Sequence, residues 1–279
     1  MQIGLSSLAA ASCVYFPDVD VYRGFEIIAG SGVSHIEYSD QTRPSYLDSP
    51  QSELESIRRH AADLGLTLWS AHSPCGATSL STSDQAERER SIAVHERCLD
   101  GLAALGISHF VVHQIDGGED ETKDERLRLG LDSVFRIRRY AAQYGITLLI
   151  ENFVFFKPEE LLGFLEVTGT EGMGIVIDTG HEWQMGRSPA QAIRLAGDLL
   201  VSLHMQDNHG KGSTDEHLPP GYGTTDWPEV MRALSDVAYS GPYMMEVIPH
   251  VAPIDGMTPQ QVVQTCFENM QAILREAAS

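Results

Sequence analysis

Eight short apolar runs recur along the chain, at residues 2–5, 33–37, 66–72, 109–113, 147–151, 174–178, 199–204 and 243–246. A run of this length without polar alternation is what a strand buried on both faces requires, as in a parallel sheet. Between the runs lie longer amphipathic segments, at 20–29, 51–64, 84–105, 123–144, 158–165, 189–196, 227–234 and 259–276, which read as helices. Ser83 and Asp84 supply a cap ahead of AERER, and Gly65, Gly106 and Gly145 stand just past helix ends, each followed at once by the next run. No linker or shift of composition interrupts the series. Eight such units in 279 residues predict a single α/β domain over residues 1–279, a (β/α)8 TIM barrel with its active site at the C-terminal ends of the strands.

The chemistry sits where that fold would put it. From the third run onward the apolar residues give way to His72, His113, Glu151, Asp178, His204 and Glu246, and Glu37 follows Ile36 in the second. One polar residue at a strand end is unremarkable; six on one rim predict a shared pocket. Three carboxylates in a partly buried mouth repel one another, and uncompensated buried charge costs several kcal/mol per ion, so the set calls for a cation. Imidazole and carboxylate donors without sulfur suit Mn²⁺ or Zn²⁺ first, with Co²⁺, Fe²⁺ and Mg²⁺ as further candidates.

Residues 202–227, SLHMQDNHGKGSTDEHLPPGYGTTDW, form a loop too rich in Gly and Pro for regular structure, and they carry Asp215 and His217 as further metal-competent groups. Residues 205–225 have no apolar period of their own, so their order is expected to rest on contacts to the site below. Trp69, Trp183 and Trp227 are candidates for an apolar wall under a substrate, Trp69 being equally at home in the core. Phe153, Phe155 and Phe156 in NFVFFK are read as a pocket wall or as a contact in a homo-oligomer. His35, His60, His95 and His109 lie within elements or at strand starts and are read as structural.

Composition narrows the partners. A formal net charge of −20, from 19 Lys and Arg against 39 Asp and Glu, argues against a nucleic-acid or anionic-membrane surface, because such binding is driven by Lys and Arg neutralising phosphates. Cysteines 13, 75, 98 and 266 form no CxxC pair, which predicts reduced thiols and a cytoplasmic protein rather than a disulfide framework or a thiolate zinc site. The small-residue tract LSSLAAAS lacks the basic and apolar parts of a signal peptide, and no stretch has the length of a membrane span.

IENF at 150–153, IDTGH at 177–181, SLHMQDN at 202–208, DEHLPPGYG at 215–223 and MEV at 245–247, in that order along the barrel units, resemble the xylose-isomerase-like superfamily over nearly the whole chain. In its sugar (or sugar phosphate) isomerases and epimerases, four residues hold one divalent metal, which the resemblance places on Glu151, Asp178, His204 and Glu246. Glu151 and Glu246 are also implied as the acid and base on opposite faces of a carbohydrate substrate, abstracting a proton alpha to a carbonyl and passing through an enediolate. His181 resembles the histidine that contacts a substrate hydroxyl. The epimerases carry an arginine shortly after the metal histidine, where this chain offers His209 and Lys211. A second branch, the endonuclease IV type abasic-site nucleases, holds three zinc ions on nine ligands; their counterparts here are the same four residues with His72, His113, His181, Asp215 and His217. A dehydratase or lyase using the same enediolate is the third reading.

Overall fold

The expected runs become eight parallel strands: β1 (Ile3–Ser6), β2 (His35–Tyr38), β3 (Thr67–His72), β4 (His109–Val112), β5 (Thr147–Glu151), β6 (Met173–Asp178), β7 (Leu200–His204) and β8 (Tyr243–Met245). A computed structural model describes residues 2–74, 78–113, 120–152 and 157–278. The strands lie in the order β7-β6-β5-β4-β3-β2-β1-β8. A parallel bridge from Met205 to Met245, with Met205 N donating to Met244 O at 2.8 Å, joins the two ends of that order and closes a (β/α)8 barrel.

The helices among the described residues are α1 (Leu8–Ala11), α2 (Val21–Ser31), α3 (Gln51–Asp63), α4 (Gln85–Leu105), α5 (Lys123–Ala141), α6 (Pro158–Thr168), α7 (Thr179–Gln184), α8 (Pro189–Ala196), α9 (Trp227–Asp236) and α10 (Pro259–Ala277). Their starts obey local chemistry. Asp84 accepts from Glu87 N, Thr122 and Glu125 form a reciprocal capping box, and Pro opens α6, α8, α9 and α10, where its missing N–H costs nothing. Gly106 ends α4 in the left-handed conformation that a Cβ disfavours. The helix expected over 123–144 ends its α turns at Ala141 and runs out as a 3-10 turn to Tyr144. Two helices went unanticipated: α1, whose four residues are all buried, and α7, directly after β6.

The barrel interior explains how the strand ends become a site. Val111, Leu149 and Val176 form an apolar cluster separate from the main core, with Val201 against it. Residues two apart on a strand share a face. Glu151 therefore stands above Leu149, and Asp178 above Val176, on an apolar floor.

Candidate metal centre

Glu151, Asp178, His204 and Glu246 each contribute a ligand atom to one group whose members all lie within 4.8 Å of one another. All four are buried. The register makes this so, since Asp178 pairs with His204 across β6 and β7 and Glu151 with Val176 across β5 and β6. His204 Nδ1 lies 3.0 Å from Glu151 Oε1 and 3.3 Å from Glu246 Oε2. Asp178 Oδ1 accepts from His181 N at 2.8 Å, capping α7, and from Gln206 Nε2 at 3.2 Å; its Oδ2 is buried with no hydrogen-bond partner. A buried carboxylate oxygen left without a donor, beside two more carboxylates and an imidazole, fits a divalent cation.

Three further groups adjoin this one among the described residues: His72, His113 and Glu151; His72, His204 and Glu246; and His181, Asp215 and His217. His72 and His113 point Nε2 at Glu151 Oε2, at 3.2 and 3.0 Å. Asp215 Oδ2 lies 3.1 Å from His217 Nε2 and 3.4 Å from His181 Nε2. Backbone carbonyls settle three tautomers. His72 Nδ1 lies 2.7 Å from Ser73 O, His181 Nδ1 2.9 Å from Asn152 O and His217 Nδ1 3.3 Å from Glu246 O. A carbonyl only accepts, so Nδ1 carries the proton in each and Nε2 faces a carboxylate. That is the arrangement of a metal-ligating histidine, whose remote N–H is held so that the near nitrogen can donate its lone pair.

Burial and neighbouring charges shift these groups in opposing directions. Burial works against ionising Glu151, but His204 and His113 beside it hold its carboxyl well below the usual range. Burial likewise opposes charge on His204, which Glu151, Glu37 and Glu246 outweigh, raising it well above an ordinary imidazole. His217 is pushed up to about 9, Asp215 overcoming its burial, and His217 and His181 in turn hold Asp215 far below the normal carboxylate range. Asp178 goes the other way: burial raises it to about 7, with the Glu151 charge adding to the effect and His181 opposing it.

The 205–225 loop is ordered by the expected contacts to the site and by a second anchor of its own. It is pinned by Asp207, fully buried, whose Oδ1 accepts from Asn208 N (2.9 Å) and Thr225 N (3.1 Å) and whose Oδ2 accepts from Gly221 N and Trp227 Nε1 (both 2.9 Å). An antiparallel bridge pairs Asp207 with Leu218. Contacts to the site run through Gln206, which donates to both Asp178 Oδ1 and Asp215 Oδ1 at 3.2 Å, through Asp215 against His181 and through His217 against Glu246. Gly180 makes room for that amide: a Cβ there would sit 2.0 Å from the Gln206 side chain. His217 holds a left-handed φ of 45°, uncommon for a residue with a Cβ and compatible with a position imposed by the site.

Trp227 thus serves the loop rather than a sugar face, Trp183 Nε1 donates to Thr224, and Trp69 stacks on His109 at 4.3 Å. His209 is exposed and paired with Glu216. Phe153, Phe155, Phe156 and Cys75 lie outside the described residues. Sequence reasoning missed Asn152, which exchanges hydrogen bonds with the Asp178 backbone in both directions and donates to Glu182 Oε1, itself buried and gripped by Arg187 at 2.8 Å through two bonds. No period marks such a chain in the sequence; the spacing Glu182 to Arg187 is its only trace.

The chain matches the family model described as xylose isomerase-like TIM barrel over residues 25–271. It is 30% identical over 234 residues, 80% of this chain and 75% of the relative, to a D-psicose 3-epimerase of Agrobacterium fabrum (strain C58 / ATCC 33970). Among solved structures it superposes on an L-ribulose 3-epimerase with a TM-score of 0.83 at 17% identity, covering all of this chain and 96% of that one. A D-psicose 3-epimerase crystallised with D-fructose gives 0.82 at 23% identity, with full coverage of both chains.

Proposed function

The chain belongs to the xylose isomerase-like TIM barrel family, and we propose that it is a divalent-metal-dependent epimerase or isomerase of a small carbohydrate, with a free or phosphorylated ketose as substrate. The observation that carries this reading is the pair Glu151 and Glu246 converging with Asp178 and His204 in one buried group, Asp178 Oδ2 being without a donor. Relatives named as sugar 3-epimerases point to the carbon next to a ketose carbonyl as the reacting centre.

Glu151, Asp178, His204 and Glu246 would hold the cation, Mn²⁺ or Zn²⁺ by donor type, with Co²⁺, Fe²⁺ or Mg²⁺ as alternatives. When bound it supplies Lewis acidity at the substrate carbonyl oxygen. One glutamate takes the proton from the carbon alpha to the carbonyl, and the electron pair left behind spreads onto the carbonyl oxygen. The second glutamate returns a proton to the opposite face for an epimer; for an isomer the proton goes to the neighbouring carbon, and the hydroxyl proton passes between the two oxygens so that carbonyl and hydroxyl exchange places. The apolar floor of Val111, Leu149 and Val176 excludes water from beneath, and His181 and His217 stand beside the carboxylates as hydroxyl partners. Positioned proton transfer of this kind contributes about 10²–10⁴-fold.

The flanking groups favour a second reading of the metal count, in which His72 with His113 and His181 with Asp215 and His217 hold two more ions. Free thiols at Cys13, Cys98 and Cys266 agree with a reducing, cytoplasmic setting, and no described helix is long and apolar enough to cross a membrane. The test is incubation of the metal-loaded protein with free ketoses in D₂O beside elemental analysis. Deuterium at the carbon next to the carbonyl, with a new epimer or aldose, is the expected result. Absence of exchange on any ketose or ketose phosphate, with incision of abasic duplex DNA, would replace the sugar reading by the nuclease one.

A further inference from the structure

Glu37 stands apart from the ligand groups, on β2, on the far side of the His204 ring. It is fully buried, its Oε2 accepts from Ser70 Oγ at 2.8 Å, and its Oε1 lies 2.9 Å from His204 Nε2. Among the described residues neither of those two facing atoms has another partner, and the 2.9 Å contact between them is close but not aligned as a hydrogen bond. The opposite ring nitrogen, Nδ1, is the one that meets Glu151 and Glu246. The ring is therefore strung between two acidic sets. His72, His181 and His217 have their remote Nδ1 protons fixed by backbone carbonyls; no carbonyl is paired with His204 Nε2, and a carboxylate occupies that place.

We propose that Glu37 is the positioning residue of the centre: it holds the proton of His204 on Nε2, so that this histidine, unlike its neighbours, offers Nδ1 to the cation. A buried carboxylate gains nothing from an imidazole lone pair 2.9 Å away, and a proton placed on Nε2 to meet it leaves the Nδ1 lone pair facing Glu151 and Glu246. The Ser70 hydroxyl, having a proton to give, fixes Glu37 by its other oxygen and leaves Oε1 for the ring. An acceptor of full charge also makes the imidazole a stronger donor to a metal than a carbonyl would, and partners of this type typically change metal affinity by about 10–100-fold when removed.

This inference rests on the metal reading above, and Zn²⁺ alone is the probe that separates the two. Chelator competition on metal-stripped protein should give a dissociation constant about 10- to 100-fold weaker for Glu37→Gln than for the parent. Imidazole ¹⁵N spectra of the Zn²⁺-loaded parent should show His204 coordinated through Nδ1 and protonated at Nε2. A parent that takes up no zinc overturns the metal reading and this inference with it. A parent that binds zinc, while Glu37→Gln binds as tightly or His204 coordinates through Nε2, overturns this inference alone. A role in packing only would lower the melting temperature of the stripped variant and leave zinc affinity unchanged, which is the second of those results. Should Glu37→Gln fail to fold, the parent spectrum decides by itself.

Discussion

Asp207→Asn is the substitution whose consequence the structure defines most closely. The carboxylate takes four N–H donors, two on each oxygen. An asparagine keeps one acceptor oxygen and turns an NH₂ toward whichever donor pair it loses, either Asn208 N with Thr225 N or Gly221 N with Trp227 Nε1. Hydrogen bonds to a charged group are worth about 1.5–3 kcal/mol each, so loss of two amounts to roughly 3–6 kcal/mol at a site with no exposure. The loop can open without unfolding the barrel, so the cost should appear as local opening: about 3 kcal/mol is already roughly a hundredfold rise in the open population. Amide exchange over residues 208–225 should accelerate by that factor or more while β5 and β6 stay protected. Turnover should fall with it, because Asp215 and His217 ride on the loop, whereas the metal held by Glu151, Asp178, His204 and Glu246 should be retained. Metal-stripped parent protein is the control, since a loop pinned by Asp207 keeps its protection without the cation. Unchanged exchange in Asp207→Asn, or a parent loop that loses protection on stripping alone, would refute this account of its order.

Glu151→Gln and Glu246→Gln should each remove most turnover, by about 10²-fold or more, with the fold intact by circular dichroism; near-parental activity in either takes that residue out of the acid–base pair. His217→Ala should raise KM or lower kcat at unchanged metal content if one ion is bound, and should cost one metal equivalent per chain if three are, which elemental analysis reads directly. Metal affinity should climb as pH rises from 6 to 9. His204 and His217 are raised in the metal-free protein, His217 to about 9, so each holds a proton below its folded pKa and must release it to ligate. Calorimetry in buffers of different ionisation enthalpy should register that release at pH 7, and a dissociation constant independent of pH would count against these histidines as ligands.

The barrel was legible because a parallel strand buried on both faces has an unmistakable form, an apolar run, and because Asp84 caps α4 through Glu87 while Gly106 ends it. Six of the candidate site's residues, His72, His113, Glu151, Asp178, His204 and Glu246, were legible for the same reason, being those at which the runs stop, whereas Asp215 and His217 were read from the composition of their loop and His181 from the family resemblance. What lacked a signal was everything held by pairing across the fold. Asp207 has the same look as Asp178 in the sequence, yet it binds four backbone and indole donors and no cation is called for. Asn152, Glu182 and Arg187 tie β5 to β6 through partners as much as 30 residues apart. The helix α7 is six residues with no apolar period, and it forms because Asp178, while turning Oδ2 into the centre, caps it with Oδ1.

That double use of Asp178 bears on why a cation belongs here at all. Its carboxyl rises from 3.8 to about 7 chiefly through burial, a shift equivalent to on the order of 4 kcal/mol against the ionised form. The neighbouring His181, His217 and His204 relieve it only in part: the donors to Oδ1 are a backbone amide and a neutral side-chain amide, and among the described residues Oδ2 has none. Neutralising Asp178 by protonation would remove the penalty and with it the ligand, whereas a divalent ion removes the penalty and keeps the carboxylate charged. The −20 balance of the chain acts in the same direction over longer range, drawing cations toward the rim and repelling polyanions. On the function proposed above, the acidic balance and the under-donated Asp178 carboxylate would favour a small cation and a neutral or weakly charged sugar over nucleic acid at the same residues.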